Sequence, residues 1–188
     1  MTTSVAGTRY VIDTRTSQFT VQAFASGLIS AIAHSPKIAI RDWSGTVHMI
    51  SGSLEGASLK ARVKPASLEV LDELPDADRR ELHRIMNQEV LETLDFPEII
   101  YDGTMAAEKL KEDLFRLNVR GRLTLHGVTN DQDFVAQASL GVDSARAYGS
   151  FTLLQSDYNI RIASIAGGTL KLQDELKFSF YVVARKAD

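Results

Sequence analysis

Cysteine is absent from all 188 residues, which removes disulfides, zinc–thiolate centres and thiol catalysis together. Neither sign of charge dominates: 21 Lys and Arg face 24 Asp and Glu, for a net charge of −3. No basic field is therefore available to attract nucleic acid or an anionic membrane. No apolar run approaches the ~20 residues a membrane-spanning helix needs. The start, Met1-Thr2-Thr3-Ser4-Val5-Ala6-Gly7-Thr8, lacks the basic residues and apolar stretch of a secretory signal, so a cytoplasmic protein is expected. Gly-x-Gly-x-x-Gly, a Walker loop, a Gly-x-Ser-x-Gly elbow and His-Glu-x-x-His are all missing. These absences argue against a dinucleotide or phosphate cradle, an activated serine and a zinc site.

What the chain does have is period-two alternation. In Phe115-Arg116-Leu117-Asn118-Val119-Arg120-Gly121-Arg122-Leu123-Thr124-Leu125-His126, odd positions are apolar or glycine and even ones polar. Side chains alternate across a strand, so one face is buried and the other meets water. The same rhythm runs through Glu55-Ala57-Leu59-Ala61-Val63 (with Glu55 as a polar intruder), Phe134-Ala136-Ala138-Leu140-Val142 and Leu176-Phe178-Phe180-Val182-Ala184. It is weaker in Phe19-Val21-Ala23, Gly45-Val47-Met49, Ile99-Tyr101-Gly103-Met105 and Ala147-Gly149-Phe151-Leu153, giving eight strands in all. Residues 76–91 follow a helical spacing instead, with Leu82, Ile85, Met86, Val90 and Leu91 on one stripe. Pro75 precedes that stripe, and Asp76 and Asp78 favour the first turn. A short second helix is expected over 27–33. No linker or repeat divides the chain, so residues 1–188 read as one domain.

Strands with one apolar face close into a barrel or pack as a sandwich. An eight-stranded barrel is either filled by side chains or wide enough for one small ligand. Ala57, Ala61, Gly103, Gly121, Ala136, Ala138, Ala147 and Gly149 are small and inward. They either leave room for a cavity or interdigitate with the neighbouring phenylalanines.

The four histidines have no metal-binding spacing. His34 ends a small apolar segment and could meet a ligand's head group at a barrel mouth, or simply satisfy loop backbone. His126 precedes a turn at Gly127 and reads as turn-stabilising; His48 and His83 read as solvated. Arg116, Arg120 and Arg122 share an outward face, best explained as a solvated stripe paired with acids on neighbouring strands. Arg41 beside Trp43 is a candidate for a head group at the entrance.

An ordered set of short segments adds to this reading: Tyr10-Val11-Ile12-Asp13, Gly27-Leu28-Ile29-Ser30 leading to Ala33-His34, Asp42-Trp43-Ser44-Gly45, Ala66-Ser67-Leu68-Glu69-Val70, Phe96-Pro97-Glu98-Ile99, Gly121-Arg122-Leu123-Thr124-Leu125-His126-Gly127-Val128-Thr129 and Ser156-Asp157-Tyr158-Asn159-Ile160. Together they resemble the YceI-like family. The resemblance implies a mainly β, lipocalin-like eight-stranded antiparallel β-barrel that binds an isoprenoid lipid. Ser35-Pro36 follow His34 where such relatives tend to carry a second histidine, so a paired-histidine site is not expected.

The expected function is binding or carriage of an amphipathic lipid (isoprenoid quinone, prenyl phosphate or fatty-acyl type) without catalysis, cofactor or metal. The expected wall is Phe19, Val21, Leu59, Tyr101, Phe115, Leu117, Phe134, Phe151, Phe178 and Phe180, with His34, Arg41 and Trp43 toward the mouth. The partner is then a hydrophobic small molecule; a homodimer remains open. Two alternatives stand beside it: an enzyme acting on a lipid-like substrate in the same cavity, and a ligand-free interaction or stress-response module.

Overall fold

Each alternating stretch finds an antiparallel partner in the computed structural model, which describes residues 7–26, 36–50, 53–162, 164–165 and 170–187. In chain order the elements are β1 (Gly7–Ile12), β2 (Gln18–Ser26), β3 (Lys37–Ile40), β4 (Trp43–Ile50), β5 (Ser53–Val63), β6 (Leu68–Val70) and α1 (Asp76–Ile85). They continue with β7 (Ile99–Lys109), β8 (Leu114–Leu125), β9 (Val128–Asp131), β10 (Phe134–Leu140), β11 (Ser144–Leu154), β12 (Ser164–Ile165) and β13 (Leu170–Lys186). The short helix expected over 27–33 lies outside the described residues, as does His34.

Eight strands close a ring in the order β1, β4, β5, β7, β8, β10, β11, β13, and β13 returns to β1 through Ile12 opposite Ala184. Closure leaves the ring without an edge. The first place in the ring is shared. β13 is long enough to pair β1 with its last residues and β2 with the preceding ones, Phe180 lying opposite Phe19 and Phe178 opposite Val21. β2 then carries β3 and β6, which extend the wall beyond one end of the ring. β1, β3, β6, β9 and β12 are two to six residues long and were not counted among the eight strands expected from alternation. Such lengths hold too few alternations to stand out.

The inward phase holds along the long strands. On β8, Leu117, Val119, Leu123 and Leu125 are buried while Arg116, Asn118, Arg120 and Arg122 are exposed. Two residues assigned to the inward rhythm depart from it. Gly56 adopts a left-handed φ of +73°, a bulge that puts Leu54 inside and turns Glu55 outward. The Glu55 carboxylate there accepts the Ala107 backbone N–H at 2.6 Å. Val142 lies past the end of β10 in the turn to β11 and is 93% exposed, because Gly141 N–H already closes that turn on the Ser144 carbonyl at 2.7 Å.

The helix expected over 76–91 is α1 followed by one π turn, Met86–Val90, in which Leu91 N–H donates to the Met86 carbonyl at 2.9 Å. The extra residue has a reason. After Leu82, Ile85 and Met86, an unbroken 3.6-residue period would next turn Glu89 toward the apolar interior. The π turn brings Val90 and Leu91 there instead and leaves Glu89 outside, 2.8 Å from Arg84. At its other end α1 is tied to the extension: the Arg79 guanidinium donates to the carbonyls of Val70 at 2.9 Å and Asp72 at 3.2 Å.

Candidate functional site

The ring surrounds an elongated apolar cavity of about 270 Å³. Its wall comes from every strand of the ring and from β2, β3 and β6, and α1 covers one end with Leu82, Ile85, Met86, Val90 and Leu91. Phe19, Val21, Trp43, Leu59, Tyr101, Leu117, Phe134, Phe151, Phe178 and Phe180 all line it. Phe115 does not: it begins β8 and packs against the same core beyond the lining. Arg41 is also outside, on the surface, where its guanidinium meets Glu69 at 2.6 Å. Residues two apart share a face within a continuous strand, but Arg41 and Asp42 form the bend between β3 and β4, so Trp43 turns inward and Arg41 stays outside.

The aromatic side chains form a connected series across the interior. Trp43 meets Phe19 edge-on at 5.7 Å, and Phe19 approaches Phe178 at 6.1 Å. Phe178 stacks on Phe151 at 4.8 Å with the planes 2° apart, as their direct pairing across β11 and β13 dictates. Phe151 continues to Phe134 at 5.4 Å, and Phe134 to Tyr101 at 5.6 Å. Rings on six strands thus present both faces and edges to the cavity, a surface that holds apolar chains by dispersion without directional demands.

Not every small inward residue contributes room. The Tyr101 ring lies across Gly103 and Gly121: a Cβ at Gly103 would fall 2.9 Å from Tyr101 Cε1, and one at Gly121 would fall 2.6 Å from Tyr101 Cζ. Gly149 is covered similarly by Phe180, at 2.8 Å. Ala57 is fully buried outside the lining. Ala61, Ala136, Ala138 and Ala147 do border open space. Glycines here seat large rings, and alanines leave the volume.

Polar groups on the wall are few, and two of them are held by backbone. Tyr101 Oη donates to the Gln132 carbonyl at 2.9 Å, and burial, with Asp133 nearby, holds its phenol well above the usual tyrosine range. Gln155, 3% exposed, donates its amide N–H to the Gln173 carbonyl at 3.0 Å. Among the described residues the lining contains no carboxylate and no histidine, and its one charged residue, Arg146, is itself exposed. His48 is exposed on β4 and His83 exposed on α1, hydrogen-bonded to Asn87. His126 occupies the two-residue turn between β8 and β9 with φ +51°, followed by Gly127 at +74°. Its ring packs on Phe96 at 4.3 Å, so the turn role read from sequence fits its position. No group of three or more His, Asp or Glu among the described residues is arranged to hold a metal, and no described helix is long and apolar enough to cross a membrane.

The helix stripe was legible as an apolar face but not as part of the cavity, since spacing does not say what a face packs against. Met49, Met105, Ala145 and Ala184 also line the cavity without having been singled out; as inward strand residues they carried no mark distinguishing wall from filled core.

Residues 10–184 match the family model of the YceI-like domain. The chain belongs to this family. No curated protein is matched. Among solved structures, this YceI-like barrel is similar to BcnA of Burkholderia cenocepacia, at 14% identity over 92% of this chain and 98% of that one, with a TM-score of 0.69. It is similar to a polyisoprenoid binding domain from Saccharophagus degradans implicated in plant cell wall breakdown, at 14% identity over 95% of this chain and 98% of that one, TM-score 0.69. The Campylobacter jejuni YceI protein aligns at 17% identity over 83% of this chain and 88% of that one, TM-score 0.60. At these identities the likeness is one of fold.

Proposed function

We propose that this YceI-like barrel binds and carries an amphipathic lipid, its hydrocarbon chain inside the barrel and its polar head outside the apolar wall. The observation that carries the reading is the cavity itself: long, aromatic-lined and, among the described residues, walled without a carboxylate or a histidine. Each CH₂ moved from water into such a space is worth about 0.8 kcal/mol, so chain length supplies affinity with little help from the head. Isoprenoid quinones, prenyl phosphates and fatty-acyl lipids all satisfy that chemistry. The polyisoprenoid-binding Saccharophagus degradans relative favours the isoprenoid members.

The cavity also argues against a ligand-free module. An apolar interior left unfilled loses packing contacts along its whole lining, so an occupant is favoured. An enzyme in the same space would need ionisable groups facing the chain, and the described lining supplies no carboxylate or histidine for that role.

The test is native mass spectrometry of protein purified from its own host, with solvent extraction of any bound species, beside binding of a fluorescent prenyl or fatty-acyl probe. Co-purification of a lipid, or saturable probe binding that raises the melting temperature, is expected. Neither a bound lipid nor probe binding at any concentration would overturn the reading.

A further inference from the structure

We propose that a floor of four alanines, Ala138 on β10, Ala145 and Ala147 on β11 and Ala184 on β13, sets the longest hydrocarbon chain the barrel accepts, with Phe115 as its stop. The inference rests on the lipid-carriage reading and adds chain-length selection to it. The four alanines belong to three adjoining strands and face one another directly, Ala138 opposite Ala147 and Ala145 opposite Ala184. All four line the cavity. No other pair on these two ladders joins alanine to alanine; toward the helix the inward pairs of β11 and β13 grow to Ala147 with Val182, then Gly149 with Phe180 and Phe151 with Phe178. The interior is therefore open where the alanines stand. Phe115, opposite Ala138, packs against the same core but borders none of the cavity, so the open volume ends in front of it.

The alanine end lies far from α1. On β13 the lining runs from Leu172 to Ala184, twelve steps that at ~3.3 Å each cover about 40 Å of strand, or roughly 30 Å along the axis at usual barrel tilt. A chain entering at the helix end meets the aromatic series first and the alanines last. Side-chain volume at the floor then decides how many terminal carbons fit, while contacts nearer the helix stay the same. Short chains that stop above the floor are indifferent to it.

The experiment measures competition by the linear prenols geraniol, farnesol, geranylgeraniol and solanesol against a fluorescent fatty-acyl probe. For the parent protein, affinity is expected to rise with length up to a cut-off. Ala138→Phe should move the cut-off to a shorter prenol, weakening the longest accepted chain by about tenfold or more while geraniol changes little; two lost CH₂ contacts already convert to that factor. Phe115→Ala should move it to a longer one. If Ala138→Phe fails to fold, the smaller Ala184→Val takes its place, and the opposite shifts of Ala184→Val and Phe115→Ala carry the same information. An identical length profile in parent and variants, or an equal loss at every length, overturns the ruler while leaving lipid carriage intact. Failure of the parent to bind any prenol or the acyl probe would instead overturn the carriage reading beneath it.

Discussion

His126 Nε2 and Glu92 Oε2 lie 2.8 Å apart, joining the β8–β9 turn to the chain just past the π turn that follows α1. Both residues sit at positive φ, +51° and +43°, a conformation that costs a non-glycine residue about 1 kcal/mol or more. Phe96 packs on the His126 ring at 4.3 Å and borders Gly127 closely enough that a Cβ there would fall 2.7 Å from Phe96 Cε1. The two strained backbones are thus held by one polar contact and one aromatic contact.

Replacing His126 separates those contributions. His126→Asn tolerates positive φ but removes the ring, and should cost about 1–2 kcal/mol through the lost aromatic and polar contacts. His126→Ala should cost more, since alanine adopts the left-handed region less readily than asparagine. Denaturant unfolding of the two variants gives the order, and an alanine variant as stable as the parent would show that the turn is held elsewhere.

Gly121 tests the seat of the Tyr101 ring. A methyl group at that position would stand 2.5 Å from the Asp102 carbonyl oxygen and 2.6 Å from Tyr101 Cζ. Gly121→Ala should therefore destabilise by about 1–3 kcal/mol through overpacking. Adding Tyr101→Leu should rescue only part of the loss, because the backbone clash remains while the ring clash is gone. The measurement is a double-mutant cycle on melting or denaturant midpoints; strict additivity would mean the ring does not rest on the glycine.

The phase of β8 makes a sharper prediction. Leu117 is 3% exposed and faces the cavity, whereas its neighbour Asn118 is exposed. Leu117→Asp should destabilise by several kcal/mol, since an unpaired charge would sit in an apolar wall. Asn118→Asp should be almost silent. Equal tolerance of the two in unfolding curves would reverse the register.

How much of this was legible depends on the length of the pattern. β8 and β13 alternate long enough to give their register from residues alone, and the barrel follows from eight such strands seeking cover for one face. β3 and β6 hold four and three residues, too few for any period to show. The bulge at Gly56 and the π turn at Met86–Val90 are tertiary decisions: each inserts a residue so that a charged side chain, Glu55 or Glu89, leaves the inward phase. The meaning of the glycines was hidden for a related reason. Gly103 and Gly121 read either as open space or as seats for larger neighbours; Tyr101, which fills them, stands two residues from Gly103 on β7 and reaches Gly121 across a strand pair that only folding creates. Phe115 shows the converse: its phase was right, and its place at the end of β8 took it past the cavity.

Tyr101 offers a spectroscopic handle on the cavity. Burial and nearby Asp133 raise its phenol above the ordinary tyrosine range, and burial with Asp157 raises that of Tyr158. A group whose pKa is raised on folding contributes stability below its unfolded value near ~10, and that contribution is lost as pH rises through the folded value. Alkaline titration followed by phenolate absorbance should accordingly show two of the five tyrosines lagging, with stability falling above about pH 10. The two can be told apart by location, since Tyr101 lines the cavity and Tyr158 does not. Adding a saturating prenol should push the Tyr101 step higher still, because a hydrocarbon chain against the ring excludes water from the phenolate, and should leave Tyr158 where it was. Tyr101→Phe identifies the step by removing it. A Tyr101 step that does not move when prenol binds would place the chain away from that wall and reassign the ligand's path through the barrel.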